Sequence, residues 1–123
     1  YVPRHSRVTF VSRLDFCAGL GHNEARTQGR GPVYLISDLG QFDFENGHLR
    51  LVSFHPGCSI EKIQSHTGFP LEIASNVMET PLPTTEEIDL LRNEIDRGGI
   101  RKLETLSGAA RRELLHQILA AGG

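Results

Sequence analysis

The residues of this sequence that are best suited to chemistry are six histidines and two cysteines. A cysteine beside a histidine can act as an activated nucleophile, and both side chains bind metal ions. Cys17 and His22 share a glycine-rich segment and form one candidate pair. His55 and Cys58 form a second pair, but Pro56-Gly57 between them predicts a turn, and no other ligand pair lies nearby. A small buried cysteine and a loop histidine explain each pair without catalysis, and we expect no metal site.

The glycine-rich segment, residues 17–23, also carries half of a phosphate-binding fingerprint. Gly19 and Gly21 have the spacing of its first two glycines, but the third glycine and the strand-before, helix-after context are absent. Loops in α/β folds often carry function, and glycines permit the close approach of a ligand. We therefore take Gly19, Gly21 and His22 as candidate substrate-binding residues. The alternative is a tight connection whose glycines only satisfy backbone geometry.

A glutamate stands beside an Asn-Gly dipeptide at residues 45–47, as a catalytic acid on a tight turn would. Asn-Gly is the strongest short-range signal of a two-residue hairpin loop. Such a loop predicts four cross-strand pairs: Glu45 with His48, Phe44 with Leu49, Asp43 with Arg50, and Phe42 with Leu51. One hairpin face is then apolar and the other charged, and a slip of one residue would exchange them. Glu45 lies on the charged face, where a carboxylate needs no special role.

The composition is typical of one soluble globular domain or part of one. The chain has 123 residues, a formal charge of −2 and 38% hydrophobic residues. Charges of both signs are interspersed, which disfavours a nucleic-acid-binding surface. No apolar run reaches the ~18 residues of a membrane-spanning helix, and no signal peptide is recognisable. Two isolated cysteines then favour reduced thiols in the cytoplasm. Because the sequence begins at Tyr1 without an initiator Met, we expect it to be part of something longer.

Apolar runs and turn residues predict alternating strands and helices, and hence the α/β class. Residues 33–36 form a near-continuous apolar run that predicts a strand buried on both faces, and we expect residues 33–37 to be a central strand. Residues 8–11 and 14–16 predict a short β-type or mixed segment that is broken by Ser12-Arg13. Ser59 predicts the N-cap of a helix over residues 60–67.

Past this helix, the sequence predicts one more strand and then a helical extension. Gly68 is predicted to be a left-handed helix cap, and residues 69–74 alternate as in a strand. Residues 76–83 predict a linker. A capping box at residues 84–87 begins a helix to about residue 97, and a last helix follows Ser107.

Six segments occur in an order and spacing that is specific. They are His5-Ser6, residues 10–16, Ser37–Phe44 with the letters SDLGQFDF, Leu49–Leu51, His55–Gly57, and residues 60–69 ending in Thr-Gly-Phe. Together they resemble the C-terminal portion of the β subunit of family I coenzyme A transferases, of the glutaconate CoA-transferase type. The resemblance runs from about His5 to Met78, and the proline-rich exit with the helix after it is also similar. It implies that residues 1–80 are the C-terminal portion of a CoA-transferase-like α/β domain and residues 81–123 a proline-rich linker and helical extension.

The resemblance implies a three-layer α/β/α sheet fragment with a β-hairpin, and it implies the family's covalent chemistry. In the family, a β-subunit glutamate attacks an acyl-CoA thioester, and a glutamyl-CoA thioester then passes CoA to an acceptor acid. That glutamate lies on the N-terminal side of every segment present here. The resemblance therefore assigns no catalytic residue to this chain, and we expect the fragment alone to be inactive.

The same resemblance implies partners and leaves two alternatives. The expected partners are a CoA-transferase α subunit, the N-terminal half of the β subunit, and acyl-CoA and carboxylic acid substrates, with no cofactor other than this CoA thioester. We expect no membrane partner and no stable monomer. The alternatives are a ring-opening hydrolase of CoA esters from the same family and a ligand-sensing regulatory domain of the same superfold.

Overall fold

The computed structural model describes residues 1–121, which divide into two compact units, one of residues 1–81 and one that begins at Leu82. We call them the N-terminal and the C-terminal unit. The N-terminal unit holds a four-stranded sheet and one helix. Its elements are β1 (Tyr34–Ile36), β2 (Gly40–Glu45), β3 (His48–Phe54), α1 (Ile60–His66) and β4 (Glu72–Glu79).

The sheet is mixed and has the order β1-β2-β3-β4. The first three strands pair antiparallel, whereas β4 lies parallel to β3. A parallel neighbour needs a crossover, and α1 supplies it between β3 and β4. The core lies on one face of this sheet under α1. Its buried residues are Leu39, Phe42, Leu51, Ile63 and Leu71.

The predicted hairpin is confirmed, including its register. Asn46 and Gly47 have φ angles of 51° and 82°, as a type I′ loop requires. All four predicted cross-strand pairs are present, from Glu45 with His48 to Phe42 with Leu51. Phe42 and Leu51 are both completely buried, so the face of the hairpin that was predicted to be apolar packs against the core.

Strand β1 differs from its prediction, because it is an edge strand and not a central one. Only β2 pairs along it, and Tyr34 and Ile36 are 76% and 44% exposed. On its other side the backbone N–H of Val2 donates to the carbonyl oxygen of Ile36 over 2.8 Å. This single parallel bridge covers little of the edge, so the apolar run is exposed within the chain that the structure describes.

The β-type prediction for residues 8–11 is wrong. The carbonyl oxygen of Ser6 accepts the backbone N–H groups of both Thr9 and Phe10, which closes a turn. The turn inserts Phe10 into the core, where it is 6% exposed. Residues 14–16 also lie outside any strand.

Helix α1 is confirmed, but Gly68 does not have the predicted left-handed conformation. Ser59 caps the helix by accepting the backbone N–H of Lys62, as expected. Gly68 has no positive φ, and a Cβ atom there would lie 2.6 Å from the carbonyl oxygen of Phe10. A glycine is therefore needed at this position, because the backbone of the N-terminal segment at Phe10 lies too close for any side chain. Its own N–H donates to that same oxygen over 2.7 Å.

Strand β4 begins later than predicted and continues through residues that were predicted to be a linker. The amide side chain of Gln64 explains the late start. Its nitrogen donates to the carbonyl oxygen of Phe69, and its oxygen accepts the N–H of Leu71. These bonds occupy backbone groups that a strand neighbour would otherwise use, so pairing with β3 begins at Glu72.

The C-terminal unit is helical. Thr84 and Glu87 form the predicted capping box at the start of α2 (Thr85–Leu90), which continues as a π-helical segment, Leu91–Ile95. A 3₁₀ helix, Ile100–Glu104, was not predicted and precedes α3 (Gly108–Ala121). None of the helices in residues 1–121 has both the length and the apolar character needed to cross a membrane.

Candidate functional site

The loop of residues 17–31 carries the three predicted substrate-binding residues and lies beside the tip of the hairpin. His22 is exposed, and its Nε2 lies 2.6 Å from the carbonyl oxygen of Pro32. Its ring centroid lies 4.8 Å from that of Phe44. A Cβ atom on Gly47 would lie 3.4 Å from the Cβ of His22. The imidazole is thus held against β2 and the hairpin loop.

The two glycines of this loop have different roles. Gly21 has a φ of +55° and its carbonyl oxygen accepts Nε of Arg26 over 2.7 Å. A Cβ atom on Gly19 would have no neighbouring atom within 4 Å, so the surroundings of this glycine are open. A Cβ atom on Gly31 would lie 3.2 Å from Nδ1 of His22. The loop therefore closes around the imidazole but leaves space at Gly19.

The structure shows no hydrogen bond between the thiol and the imidazole of either cysteine–histidine pair. The Cys17 thiol donates to the carbonyl oxygen of Gly19, whereas His22 bonds to Pro32. Cys58 contacts His55 through its backbone N–H, which closes the predicted turn. Residues 1–121 hold no group of three or more His, Cys, Asp and Glu side chains arranged for a metal ion.

Glu45 is part of an ion-pair cluster on the charged face of the hairpin. Arg50 donates two hydrogen bonds to the Asp43 carboxylate, over 3.0 and 2.7 Å, and one to Glu45 over 2.6 Å. These bonds lower the pKa of Asp43 and raise the pKa of Arg50. Glu45 therefore lies on the charged face of the hairpin, as its predicted register requires, and pairs there with Arg50.

A buried polar network that sequence reasoning missed joins the N-terminal segment to the sheet and to α1. His5 is 3% exposed and stacks on Phe10, with ring centroids 3.7 Å apart. Its Nδ1 lies 3.0 Å from Oγ of Ser37, and its Nε2 lies 3.0 Å from Oγ1 of Thr67. Ser37 and Thr67 lie 32 and 62 positions from His5 in sequence, so no local spacing could have predicted the contact.

The surrounding hydrogen bonds define the protonation state of His5. Thr67 donates its hydroxyl hydrogen to the carbonyl oxygen of Ile63, and so it accepts from Nε2 of His5. Ser37 accepts the N–H groups of Leu39 and Gly40. Its own hydrogen has two acceptors within reach, Nδ1 of His5 at 3.0 Å and the carbonyl oxygen of Gly40 at 3.4 Å, and Nδ1 is the nearer. Every partner is therefore satisfied by a neutral imidazole that carries its hydrogen on Nε2.

A second histidine extends this network toward β4. Nε2 of His55 lies 3.0 Å from the carbonyl oxygen of Ser37, and its Nδ1 lies 3.1 Å from Oγ1 of Thr80. Thr80 in turn lies 2.9 Å from Oγ of Ser53. The network thus includes residues from four of the segments that carry the family resemblance: His5-Ser6, Ser37–Phe44, His55–Gly57 and the Thr-Gly-Phe helix end.

We expect His5 to make the free energy of unfolding depend on pH. Burial lowers the pKa of His5 below its ordinary value of 6.5, in spite of the nearby Asp38 carboxylate, and His66 lowers it further. As pH falls below about 6.5, the unfolded chain takes up a proton that the folded chain excludes, so stability decreases by at most about 1.4 kcal/mol per pH unit.

Urea unfolding of the 123-residue chain between pH 7.5 and 5 measures this slope. His5→Gln is expected to be less stable at every pH but to have a smaller slope than the wild type. The matched control, His116→Gln, replaces an exposed histidine of α3 and is expected to keep the wild-type slope. An unchanged slope in His5→Gln would show that this imidazole does not titrate differently on unfolding.

Known proteins with similar sequences include subunits of CoA-transferases and of a hydrolase. Over 100 residues the chain is 37% identical to the B subunit of 3-oxoadipate CoA-transferase from Pseudomonas knackmussii, a match that covers 74% of the chain and 38% of that protein. The chain is therefore similar in sequence to a CoA-transferase β subunit. It is also 31% identical over 114 residues to the cholesterol ring-cleaving hydrolase IpdB subunit of Mycobacterium tuberculosis, which covers 87% of the chain and 46% of that protein. No family model matches the chain.

Solved structures confirm the α/β fold of this chain. IpdAB of Rhodococcus jostii RHA1 aligns with a TM-score of 0.73 and 26% identity, over 87% of this chain and 46% of that one. Glutaconate coenzyme A-transferase from Acidaminococcus fermentans aligns with a TM-score of 0.68 and 26% identity, over 77% and 40%. The decarboxylase AibA/AibB aligns with a TM-score of 0.61 and 32% identity, over 74% and 35%.

The chain spans less than half the length of the curated relatives that it matches. This partial coverage fits the predicted resemblance to the C-terminal portion of a β subunit. Several of the segments that carry the resemblance meet in the buried network around His5, where hydrogen bonds join them.

Proposed function

We propose that this chain is the C-terminal portion of a β subunit that moves CoA between carboxylic acids. The observation that carries the proposal is the 37% identity to the B subunit of a 3-oxoadipate CoA-transferase. The covalent steps would use a glutamate outside this chain. It would attack the acyl-CoA thioester and release the CoA thiolate, forming an acyl-glutamyl anhydride. The thiolate would then attack the glutamyl carbonyl of the anhydride, which frees the first acid and leaves CoA on the glutamate as a thioester. No cofactor beyond the CoA thioester substrate is required, and the fragment alone would be inactive.

A second candidate is a hydrolase that opens rings of CoA esters. It is supported by the 31% identity to the IpdB subunit and by the TM-score of 0.73 against IpdAB. In such an enzyme, water would replace the acceptor acid as the second reactant, and no CoA would be transferred. The names IpdAB and AibA/AibB each describe two kinds of subunit, and we propose likewise that an α subunit and the rest of the β subunit assemble with this chain.

Mass spectrometry of the assembled protein after treatment with acyl-CoA and borohydride tests the proposed transferase. Borohydride reduces a glutamyl thioester to an alcohol, so a transferase is expected to show a lighter glutamate-containing peptide. Because the proposed nucleophile lies outside this chain, Glu45→Gln is expected to retain both the reduced peptide and the turnover. Turnover without any reduced glutamate would favour the hydrolase, and loss of the reduced peptide in Glu45→Gln would contradict our placement of the nucleophile.

We further propose that Gly19, Gly21 and His22 contact the substrate in the assembled enzyme. The exposed imidazole, held by Pro32 and Phe44 beside the open space at Gly19, supports this role. His22→Ala is expected to reduce kcat/KM about tenfold, which is the effect of losing one hydrogen bond of about 1.4 kcal/mol. His48→Ala, which removes an exposed histidine from the hairpin, is the matched control. Unchanged kinetics in His22→Ala, with only a small loss of stability, would leave the loop as a purely structural connection.

A further inference from the structure

A polar groove lies beside the turn that follows the π-helical segment of the C-terminal unit. Its volume is about 390 Å³. Four basic side chains and only one acidic side chain line it, although the chain as a whole has a net negative charge. The lining residues are Arg92, Asp96, Arg97, Gly98, Gly99, Arg101 and Lys102.

Two of the four cations have structural partners. Nε of Arg97 donates to the carbonyl oxygen of Asn93 over 2.6 Å, and its Nη2 pairs with Glu94 over 2.9 Å. Arg101 pairs with Asp96 over 2.5 Å, and this carboxylate also accepts the backbone N–H groups of Ile100 and Arg101. These contacts explain how the turn is held together without any ligand.

The other two cations, Arg92 and Lys102, have no ion-pair partner among residues 1–121. The side chain of Lys102 lies along Gly99, and a Cβ atom there would be 3.7 Å from Nζ. Gly99 has a φ of +66°, so the turn that brings the two sides of the groove together requires a glycine. The absence of side chains at Gly98 and Gly99 keeps the floor of the groove accessible.

We propose that this groove binds a phosphate or diphosphate group of a small molecule, with Arg92 and Lys102 as its direct contacts. A guanidinium group offers a planar pair of donors that matches phosphate oxygens, and an ammonium group adds a compact positive charge. Arg97 and Arg101 add positive charge at the rim of the groove. The proposal is drawn from the C-terminal unit alone and does not depend on the proposed function.

Calorimetric titration of the 123-residue chain with pyrophosphate at low ionic strength tests this site. Arg92→Gln and Lys102→Gln are each expected to weaken binding about tenfold, because each removes one charge-assisted contact. The matched control is Arg112→Gln, which removes an exposed arginine of α3 that does not line the groove. Equal affinities in all four proteins, or no binding by the wild type, would overturn the proposal.

Two further titrations identify the source of the phosphate group. If adenosine 3′,5′-bisphosphate binds more tightly than pyrophosphate, and Arg92→Gln weakens both, the groove takes the phosphates of a nucleotide. Equal affinities would indicate a site for free phosphate. Both results support the proposal that the groove binds a phosphate or diphosphate group. Displacement of pyrophosphate by polyglutamate at a lower concentration than by either small molecule would instead indicate an acidic protein partner and would overturn the small-molecule proposal.

Discussion

Gly40→Ala is expected to lower the free energy of unfolding of the 123-residue chain by about 3 kcal/mol, because the new methyl group overpacks the core. A Cβ atom on Gly40 would lie 2.6 Å from the carbonyl oxygen of Ser53 and 3.1 Å from Cδ1 of Leu51. The first contact is with the backbone of β3, which cannot move away without disturbing the β2–β3 ladder. Urea unfolding at pH 7.5 and at one fixed protein concentration, followed by circular dichroism, measures the change, since the stability of an associating chain depends on its concentration.

Gly19→Ala is the matched control for this substitution. Gly19 lies in the loop of residues 17–31, has no atom within 4 Å of its Cβ position and has no positive φ. Its replacement is expected to change the free energy of unfolding by less than about 0.5 kcal/mol. Equal stabilities for Gly40→Ala and Gly19→Ala would mean that the two strands do not approach as closely as the structure shows.

The hairpin was predictable because its determinants lie close together in the sequence. Asn46-Gly47 defines the loop, and the alternation of apolar and charged residues on both sides then has only one register that buries Phe42 and Leu51. The capping box at Thr84 was predictable for the same reason, since both of its partners lie within four residues. Local physical rules determine these elements before any tertiary contact forms.

Other elements were not predictable, because contacts between distant residues determine them. Gly68 follows a helix as a left-handed cap would, yet the carbonyl oxygen of Phe10, far earlier in the sequence, is what requires a glycine there. The late start of β4 depends in the same way on the Gln64 side chain. The run at residues 33–37 has the composition of a central strand, and the described residues do not contain a second neighbour for it.

The candidate site likewise contains some residues that were predictable from the sequence and others that were not. The sequence directed attention to Gly19, Gly21 and His22 by residue type, and the structure places them on one exposed loop without testing their role. The sequence could not indicate His5, because a histidine near the start of a chain has no distinctive spacing to Ser37 or Thr67. The family resemblance included these residues within its segments, and the structure shows the hydrogen bonds that join them.

The sheet edge and the groove beside it leave a large apolar surface in the N-terminal unit. Three large apolar side chains in β1 and directly before it are exposed: Val33, Tyr34 and Ile36. A groove of about 240 Å³ opens onto the same unit and is lined almost entirely by apolar side chains. These are Val2, Thr9, Phe10, Val11, Leu14, Leu35, Phe44, Leu49 and Phe69. Folded proteins rarely leave such an edge and such a surface in contact with water.

We therefore expect that the 123-residue chain is not a stable monomer and that it associates through this surface. A second copy of the chain would cover this surface, and so would either of the proposed partners, an α subunit or the rest of a β subunit. Light scattering coupled to size-exclusion chromatography at low micromolar concentration is expected to show a mass at least twice that of one chain. Co-expression with the N-terminal portion of a CoA-transferase β subunit, the partner proposed above, is expected to give a defined stoichiometry.

A charge at the sheet edge distinguishes this surface from other exposed apolar residues. Ile36→Lys places an ammonium group on β1, where an added strand would have to desolvate it, and is expected to shift the chain toward the monomer. Leu82→Lys introduces the same charge at an exposed leucine of the C-terminal unit and is expected to leave the association unchanged. A monomeric wild-type chain that unfolds cooperatively would contradict the prediction, since β1 would then be stable as an edge without any partner.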